Sequence, residues 1–227
     1  MQRIFDIVFS GVALVLLSPL LLPLMFILRV TGEGEIFFPQ SRVGRGGKHF
    51  KLYKFATMLK DSPNIGTGTV TVKNDPRVLP MGGFLRKTKI NELPQLINIF
   101  KGDMSVIGPR PQTQRCFDAF PESAQNDITK VSPGLSGIGS VVFRSEEDMM
   151  HANADPDRLY DDVIMPYKGK LESWYVRNNS VWNYLLLISL TILVILTRST
   201  RLVFQCYTSL PRPPADLSSF IASDYYE

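Results

Sequence analysis

Hydrophobic and polar positions set out the plan of the chain before any motif is considered. From Ile7 to Leu28, 22 consecutive residues carry no charge, enough to cross the hydrocarbon core of a bilayer. Pro19, directly after Ser18, and Pro23 interrupt the run. A helix-interior proline loses an amide donor and bends the helix. In lipid the freed carbonyl needs another donor, which the Ser18 hydroxyl can supply. Two arrangements fit: a kinked transmembrane helix, or a re-entrant hairpin that enters and leaves on one face. A cleaved signal peptide fits poorly, because no small-residue cleavage site precedes Arg29 and Asp6 follows the single Arg3. A second apolar run, Val181 to Leu196, has only 16 residues and includes Asn183, Ser189 and Thr191. It is short for a span and predicts an interfacial or half-buried helix with Trp182 and Tyr184 at headgroup level, a second transmembrane helix being the alternative.

Between these runs the pattern is that of a small mixed domain. Residues 36–58 read as two short strands around the Gly-rich turn at 43–48. The turn does not have P-loop spacing, since three residues separate Gly44 from Lys48 and His49 follows. Residues 61–75 are polar and rich in Gly, Thr and Asn, a loop or lid. Leu93, Leu96, Ile97 and Phe100 recur at helical spacing, with Pro94 placed like a first-turn proline and Lys101-Gly102 as the stop. Residues 114–130 read as an amphipathic helix, 132–134 as a turn, 135–143 as a strand and 156–178 as a helix broken near Pro166. The part beyond Arg201 is Pro/Ser-rich at 209–219 and is expected to pack loosely. No internal repeat is visible, and the regular strand–helix alternation of a doubly wound sheet is absent.

Composition narrows the chemistry. A formal charge of +4 and a pI near 9.1 suit anionic partners: nucleic acid, an anionic membrane face or a phosphorylated substrate. Arg29, Arg42, Arg45, Lys48, Lys51, Lys54 and Lys60 follow the first apolar run, which places that flank on the cytoplasmic side, against headgroups. Cys116 and Cys206 have no metal or redox spacing, which points to a reducing compartment without a disulfide framework. The two histidines, His49 and His151, lie far apart, which argues against a histidine metal site or a Ser-His-Asp triad. No RNP-like, helix-turn-helix or zinc-finger pattern supports a nucleic-acid partner.

The segment Phe84–Gln112, FLRKTKINELPQLINIFKGDMSVIGPRPQ, concentrates the candidate chemistry. A helix starting at Leu93 or Pro94 puts Asn91 and Glu92 at an N-terminus that attracts anions. Arg86, Lys87 and Lys89 lie just upstream, and Arg110 sits between Pro109 and Pro111. Such arginines suit phosphate oxygens. Glu92 and Asp103 are candidate ligands for Mg²⁺, which usually takes one or two carboxylates plus substrate phosphates. The same residues also fit a plain reading, Asn91 as a helix cap, Glu92 as a first-turn acid and Asp103 as the cap of the next turn.

Taken together, RVGRGGKHFKLYKF, KNDPRV, FLRKTKINELPQLINIFKGDMSVIGPRP and SPGLSGIGSVVFR resemble, in content and order, the bacterial sugar transferases, the small monotopic phosphoglycosyl transferases. The likeness covers about Met1 to Leu196. It implies a helix-rich mixed α/β fold, with a re-entrant helix at residues 1–30 broken at Ser18 and Pro19. A small cytoplasmic catalytic domain with interfacial helices follows at 31–200, and a tail at 201–227. It implies transfer of a phospho-sugar from a UDP-sugar to undecaprenyl or another polyprenyl phosphate, with release of UMP and a need for Mg²⁺, on the cytoplasmic face of the bacterial inner membrane and among its lipids. A homodimer is compatible with this reading. Arg86, Arg110 and Arg144 match phosphate-holding arginines. The family's Asp-Glu dyad, whose aspartate attacks the β-phosphate, falls on Asn91 and Glu92. Asparagine is no nucleophile, so three expectations stand. Glu92 is the nucleophile; or transfer is direct, with Glu92 holding Mg²⁺; or the chain is an inactive membrane scaffold. The first is preferred.

Overall fold

The computed structural model describes residues 1–65, 75–144, 146–151, 156–197 and 199–221. In chain order it contains α1 (Gln2–Val30), β1 (Phe37–Val43), β2 (His49–Phe55), α2 (Gly82–Lys87), α3 (Gln95–Lys101), β3 (Ser105–Ile107), α4 (Gln114–Asp118), α5 (Glu122–Ile128), β4 (Gly134–Ser136), α6 (Ile138–Val142), α7 (Glu146–His151), α8 (Pro156–Leu159), α9 (Met165–Arg177), α10 (Val181–Thr197), α11 (Arg201–Cys206) and α12 (Ala215–Ile221). This is the expected helix-rich mixed α/β class. Among the described residues the sheets are two-stranded: β1 with β2, and β3 parallel to β4 with Ser105 opposite Gly134 and Ile107 opposite Ser136. The chain divides into two compact units, Met1–Ile4 with Arg42–Phe50 and Gly102–Glu227, and Phe5–Ser41 with Lys51–Lys101.

The unit holding most of α1 is built on an apolar cluster of Leu21, Leu24, Leu28, Phe55 and Leu85. Each fully buried side chain of this size contributes roughly 1.5–3 kcal/mol. Val12, Val15, Leu16, Leu22 and Phe26 on the same helix are exposed, and α1 is long and apolar enough to cross a membrane. Pro19 and Pro23 do not end it. The Ser18 hydroxyl donates to the Val15 carbonyl at 2.7 Å, the acceptor left without an amide by Pro19. The loop expected at 61–75 lies largely outside the described residues, but its ends are clipped together. Both carboxylate oxygens of Asp75 take Arg77, at 2.8 and 2.6 Å, and the Arg77 guanidinium also donates to the Ser62 and Ile65 carbonyls at 2.7 and 2.8 Å. The hairpin β1–β2 turns through Gly46 and Gly47 at φ 69° and 72°, values that favour glycine.

In the other unit several sequence expectations need correction. The helix expected at 114–130 is two helices, α4 and α5, because Pro121 stands at the head of α5 and cannot continue α4. The strand expected at 135–143 is only β4, followed by α6. Ile138, Val141 and Val142 are buried together, and their i, i+3, i+4 spacing makes one helical face despite β-branched side chains. The break near Pro166 is a single π-helical turn, Tyr160–Ile164, with Pro166 in the first turn of α9, where its missing amide costs least. Tyr184 is buried rather than placed at an interface, while Trp182 is exposed; with Leu187, Leu190 and Val194 buried and Ile192, Ile195 and Leu196 exposed, α10 is half-buried as expected. The part beyond Arg201 does not pack loosely over its described length: Val203, Leu210 and Leu217 are buried, and the Tyr167 hydroxyl donates to the Pro211 carbonyl at 2.8 Å.

The α5–α9 junction carries Asp127, almost buried, paired with Lys130 at 2.7 Å and Arg177 at 2.8 Å. The Lys130 hydrogen bond, followed by that of Arg177, holds its carboxyl below the ordinary range. A depressed folded-state value stabilises above the unfolded value near 3.8 and is lost as pH falls through the folded one. Asp127→Asn is therefore expected to lower stability by about 1 kcal/mol at pH 7, with the deficit closing below about pH 4, as read by thermal unfolding across pH.

Candidate active site

The Asn91–Glu92 pair stands on a sharp local turn. α2 ends at Lys87, and Lys89 takes the left-handed conformation at φ 60° and ψ 9°. For a non-glycine residue this stores on the order of 1 kcal/mol and reverses the chain. From Ile90 the bonding runs three residues apart, Leu93 to Ile90, Leu96 to Leu93 and Ile97 to Pro94, the last two reaching into the first turn of α3, which begins at Gln95. Asn91 and Glu92 thus occupy a separate 3-10 turn, not the N-terminus of α3, which corrects the expected helix-end position.

The turn sends the two side chains to different environments. Asn91 is 8% exposed, and its Oδ1 accepts no hydrogen bond. The Glu92 side chain is 22% exposed, and Oε1 meets Lys54 Nζ at 3.2 Å. The sequence pattern marks Lys54 only as one of the basic flank residues. Its role is tertiary: the Asn98 amide of α3 accepts from the Tyr53 N–H at 2.9 Å and donates to the Lys51 carbonyl at 2.8 Å, pinning β2 so that Lys54 faces Glu92. The helical Leu/Ile spacing around Asn98 gives no sign of this. Arg86, in the same unit, donates from a guanidinium nitrogen to Met58 Sδ at 3.3 Å.

The remaining expected residues lie in the other unit. Arg110 is exposed on a corner stitched to β4: the Gly108 N–H donates to the Ser136 carbonyl at 2.9 Å and the Gly134 N–H to the Pro109 carbonyl at 2.8 Å. The Arg110 amide donates to Glu172 Oε1 at 3.4 Å. Arg144 is exposed and donates to the Val194 carbonyl of α10. Asp103 is half-exposed in the turn after Gly102, whose φ of 101° closes α3. Arg86, Asn91 and Glu92 therefore belong to one unit, and Asp103, Arg110 and Arg144 to the other. Among the described residues no three His, Cys, Asp or Glu side chains form a metal-ligand cluster. Glu92 offers hard carboxylate oxygens of the kind Mg²⁺ takes together with substrate phosphates.

Comparison with known proteins agrees with this arrangement of motifs. The family model described as bacterial sugar transferase matches residues 1–198. The UDP-N-acetylgalactosamine-undecaprenyl-phosphate N-acetylgalactosaminephosphotransferase of Aeromonas hydrophila is 35% identical over 198 residues, covering 86% of this chain and 44% of that protein. The undecaprenyl-phosphate galactose phosphotransferase of Salmonella typhimurium is 33% identical over 213 residues, covering 87% and 41%. The exopolysaccharide production protein ExoY of Rhizobium meliloti is 31% identical over 205 residues, covering 84% and 83%. The chain thus spans about two fifths of the length of the first two relatives and most of the third. With nearly nine tenths of its length matched and the Asn91-Glu92 turn and the Pro-Arg-Pro corner both within the match, the chain belongs to the bacterial sugar transferase family.

Proposed function

We propose that the chain transfers a phospho-sugar from a UDP-sugar to undecaprenyl or a related polyprenyl phosphate, releasing UMP, on the cytoplasmic face of the bacterial inner membrane. The observation that carries this reading is the Asn91–Glu92 turn: of two adjacent side chains, the neutral amide is buried and the carboxylate is accessible beside Lys54. The relatives' names, undecaprenyl-phosphate phosphotransferases for different sugars, support the reaction class and leave the sugar open.

In this reading a Glu92 carboxylate oxygen attacks the β-phosphorus of the UDP-sugar. The bond from that phosphorus to the bridging oxygen breaks and UMP leaves with the electron pair. An oxygen of the polyprenyl phosphate then attacks the same phosphorus and displaces Glu92. Dividing the displacement in two is the gain of covalent catalysis. Lys54 holds the carboxylate, and Arg86, Arg110 and Arg144 are assigned to phosphate oxygens, where charge grows in the transition state. Glu92 would hold Mg²⁺, which supplies charge neutralisation on the phosphates when bound. α1 is assigned a re-entrant path broken at Ser18 and Pro19. That path keeps the catalytic part at the depth of a polyprenyl phosphate headgroup, with the basic residues after α1 against anionic lipid.

Purified protein in nanodiscs, given undecaprenyl phosphate, Mg²⁺ and a panel of UDP-sugars, should release UMP with at least one of them. Glu92→Gln should reduce release about a thousandfold or more with an unchanged melting temperature, and Asn91→Asp should remain active. Wild-type-like turnover in Glu92→Gln rules Glu92 out, and activity in Asn91→Asp alone identifies the native chain as a nucleophile-disabled form. Chelation with EDTA should abolish release and added Mg²⁺ should restore it; turnover unaffected by EDTA removes the metal from the reading. Single cysteines at Gln2 and Thr31, in a background with Cys116 and Cys206 replaced by serine, should both react with an impermeant maleimide from the cytoplasmic side. Labelling from opposite sides would establish a spanning helix instead.

A further inference from the structure

Glu172 on α9 is a fully buried carboxylate outside the Asn91–Glu92 turn, at 1% exposure. Its Oε1 accepts the Arg110 amide, and its Oε2 takes no hydrogen bond. Room for it exists because residue 139 is glycine: a Cβ there would lie 2.4 Å from Oε1. Burial pushes this carboxyl up to about 7, against the pull of Lys168 and Arg110. Lys168, one helical turn earlier and itself buried, ties to the segment around Arg144. Its Nζ donates to Glu146 Oε2 at 2.8 Å and lies 5.4 Å from the centre of the Phe143 ring. One turn of α9 therefore grips the backbone of one arginine-bearing segment through Glu172 and flanks the other arginine on both sides through Lys168.

We infer that α9 sets the spacing of the two arginines in this unit, with Glu172 a positioning residue for Arg110 and Lys168 a positioning residue for Arg144. The inference rests on the proposed function, in which both arginines hold phosphate. A buried carboxylate carries a desolvation cost that a leucine of similar size would avoid. The geometry accounts for its presence, because the Arg110 amide is the sole N–H between two prolines and Oε1 is its acceptor. Pro109 and Pro111 fix φ on both sides of that amide, so holding it sets the corner and the direction in which the Arg110 side chain leaves it. Neither Glu172 nor Lys168 touches the assigned reacting groups, so each acts through an arginine.

The test compares Glu172→Ala, Glu172→Gln, Lys168→Met and, as a stability control, Leu171→Ala, a fully buried neighbour on the same helix. Glutamine keeps an acceptor oxygen for the Arg110 amide and alanine does not. Glu172→Ala and Lys168→Met are expected to raise KM for the UDP-sugar about tenfold, with Glu172→Gln within about threefold of wild type. Leu171→Ala should lower the melting temperature and the active fraction while leaving KM unmoved. An unchanged KM in Glu172→Ala, or an equal rise in Leu171→Ala, overturns the inference. Hydrogen exchange of a peptide spanning 109–111 reads the same contact without turnover, because Arg110 carries the sole backbone N–H there. Faster exchange in Glu172→Ala with protection kept in Glu172→Gln supports the inference, and unchanged exchange refutes it. Absence of UMP release from both the native chain and Asn91→Asp refutes the proposed function separately, and the exchange measurement still decides the positioning.

Discussion

A backbone contact too close for any side chain organises the unit that carries Arg110. A Cβ on Gly134 or Gly137 would sit 2.1 Å from the backbone of Gly108, and one on Gly108 would sit 2.5 Å from the Ser132 carbonyl. None of the three lies in the left-handed region, so glycine is required here for space rather than conformational freedom. Because the backbones can touch, β3 and β4 pair directly and the chain leaves that pairing through Pro109-Arg110-Pro111. The corner is then held by the Pro109 carbonyl on β4 and by the Arg110 amide on α9. The stiff, doubly anchored backbone fixes the point from which the exposed Arg110 side chain leaves, so on meeting an anion only side-chain freedom is lost.

In the other unit the governing term is the cost of burying charge. Position 91 is nearly closed to solvent and its Oδ1 has no donor. An ionised aspartate there would carry a larger desolvation cost than the amide, which protonation or a small opening of the turn relieves. The asparagine is therefore the cheaper residue to bury, while the Glu92 carboxylate keeps both solvent contact and an ammonium neighbour. Lys89, left-handed, leads into a 3-10 turn, and with three residues per turn the adjacent side chains part company, Asn91 inward and Glu92 outward.

Much of this was legible in the residues. The uncharged run gave α1, the Gly-rich turn gave the β1–β2 hairpin, and Ser18 beside Pro19 gave the hydrogen bond to Val15. What misled was context. The β-branched residues of 138–142 suggested a strand, and only their packing as one buried helical face corrects that. Proline read as a breaker at 166 is absorbed by a π-helical turn and a first-turn position, while at 121 it does divide a helix. Lys54 and Glu172 carried no local signal, because their partners are 38 and 62 residues away. The tail's Pro/Ser content hid Leu210 and Leu217, single apolar residues whose burial depends on surfaces elsewhere in the chain.

The chemistry at Pro19 bears on which solvent α1 meets. In water a carbonyl freed by proline is hydrated at little cost, so no side-chain donor is needed. In hydrocarbon an unpaired carbonyl costs several kcal/mol, and a hydroxyl one residue before the proline removes that cost at the point where the helix is weakest. The outward face of α1 points the same way, since Val12, Val15, Leu16, Leu22 and Phe26 gain nothing from exposure to water. Leu21, Leu24 and Leu28 on the inward face bind α1 to the cluster that also holds Phe55 and Leu85, which lie in the strand and helix carrying Lys54 and Arg86. One side of α1 is thus apolar and exposed, and the other is packed against the elements that carry Lys54 and Arg86. Under the proposed function, that arrangement would set the depth of those charges against a phosphate carried on a polyprenyl tail.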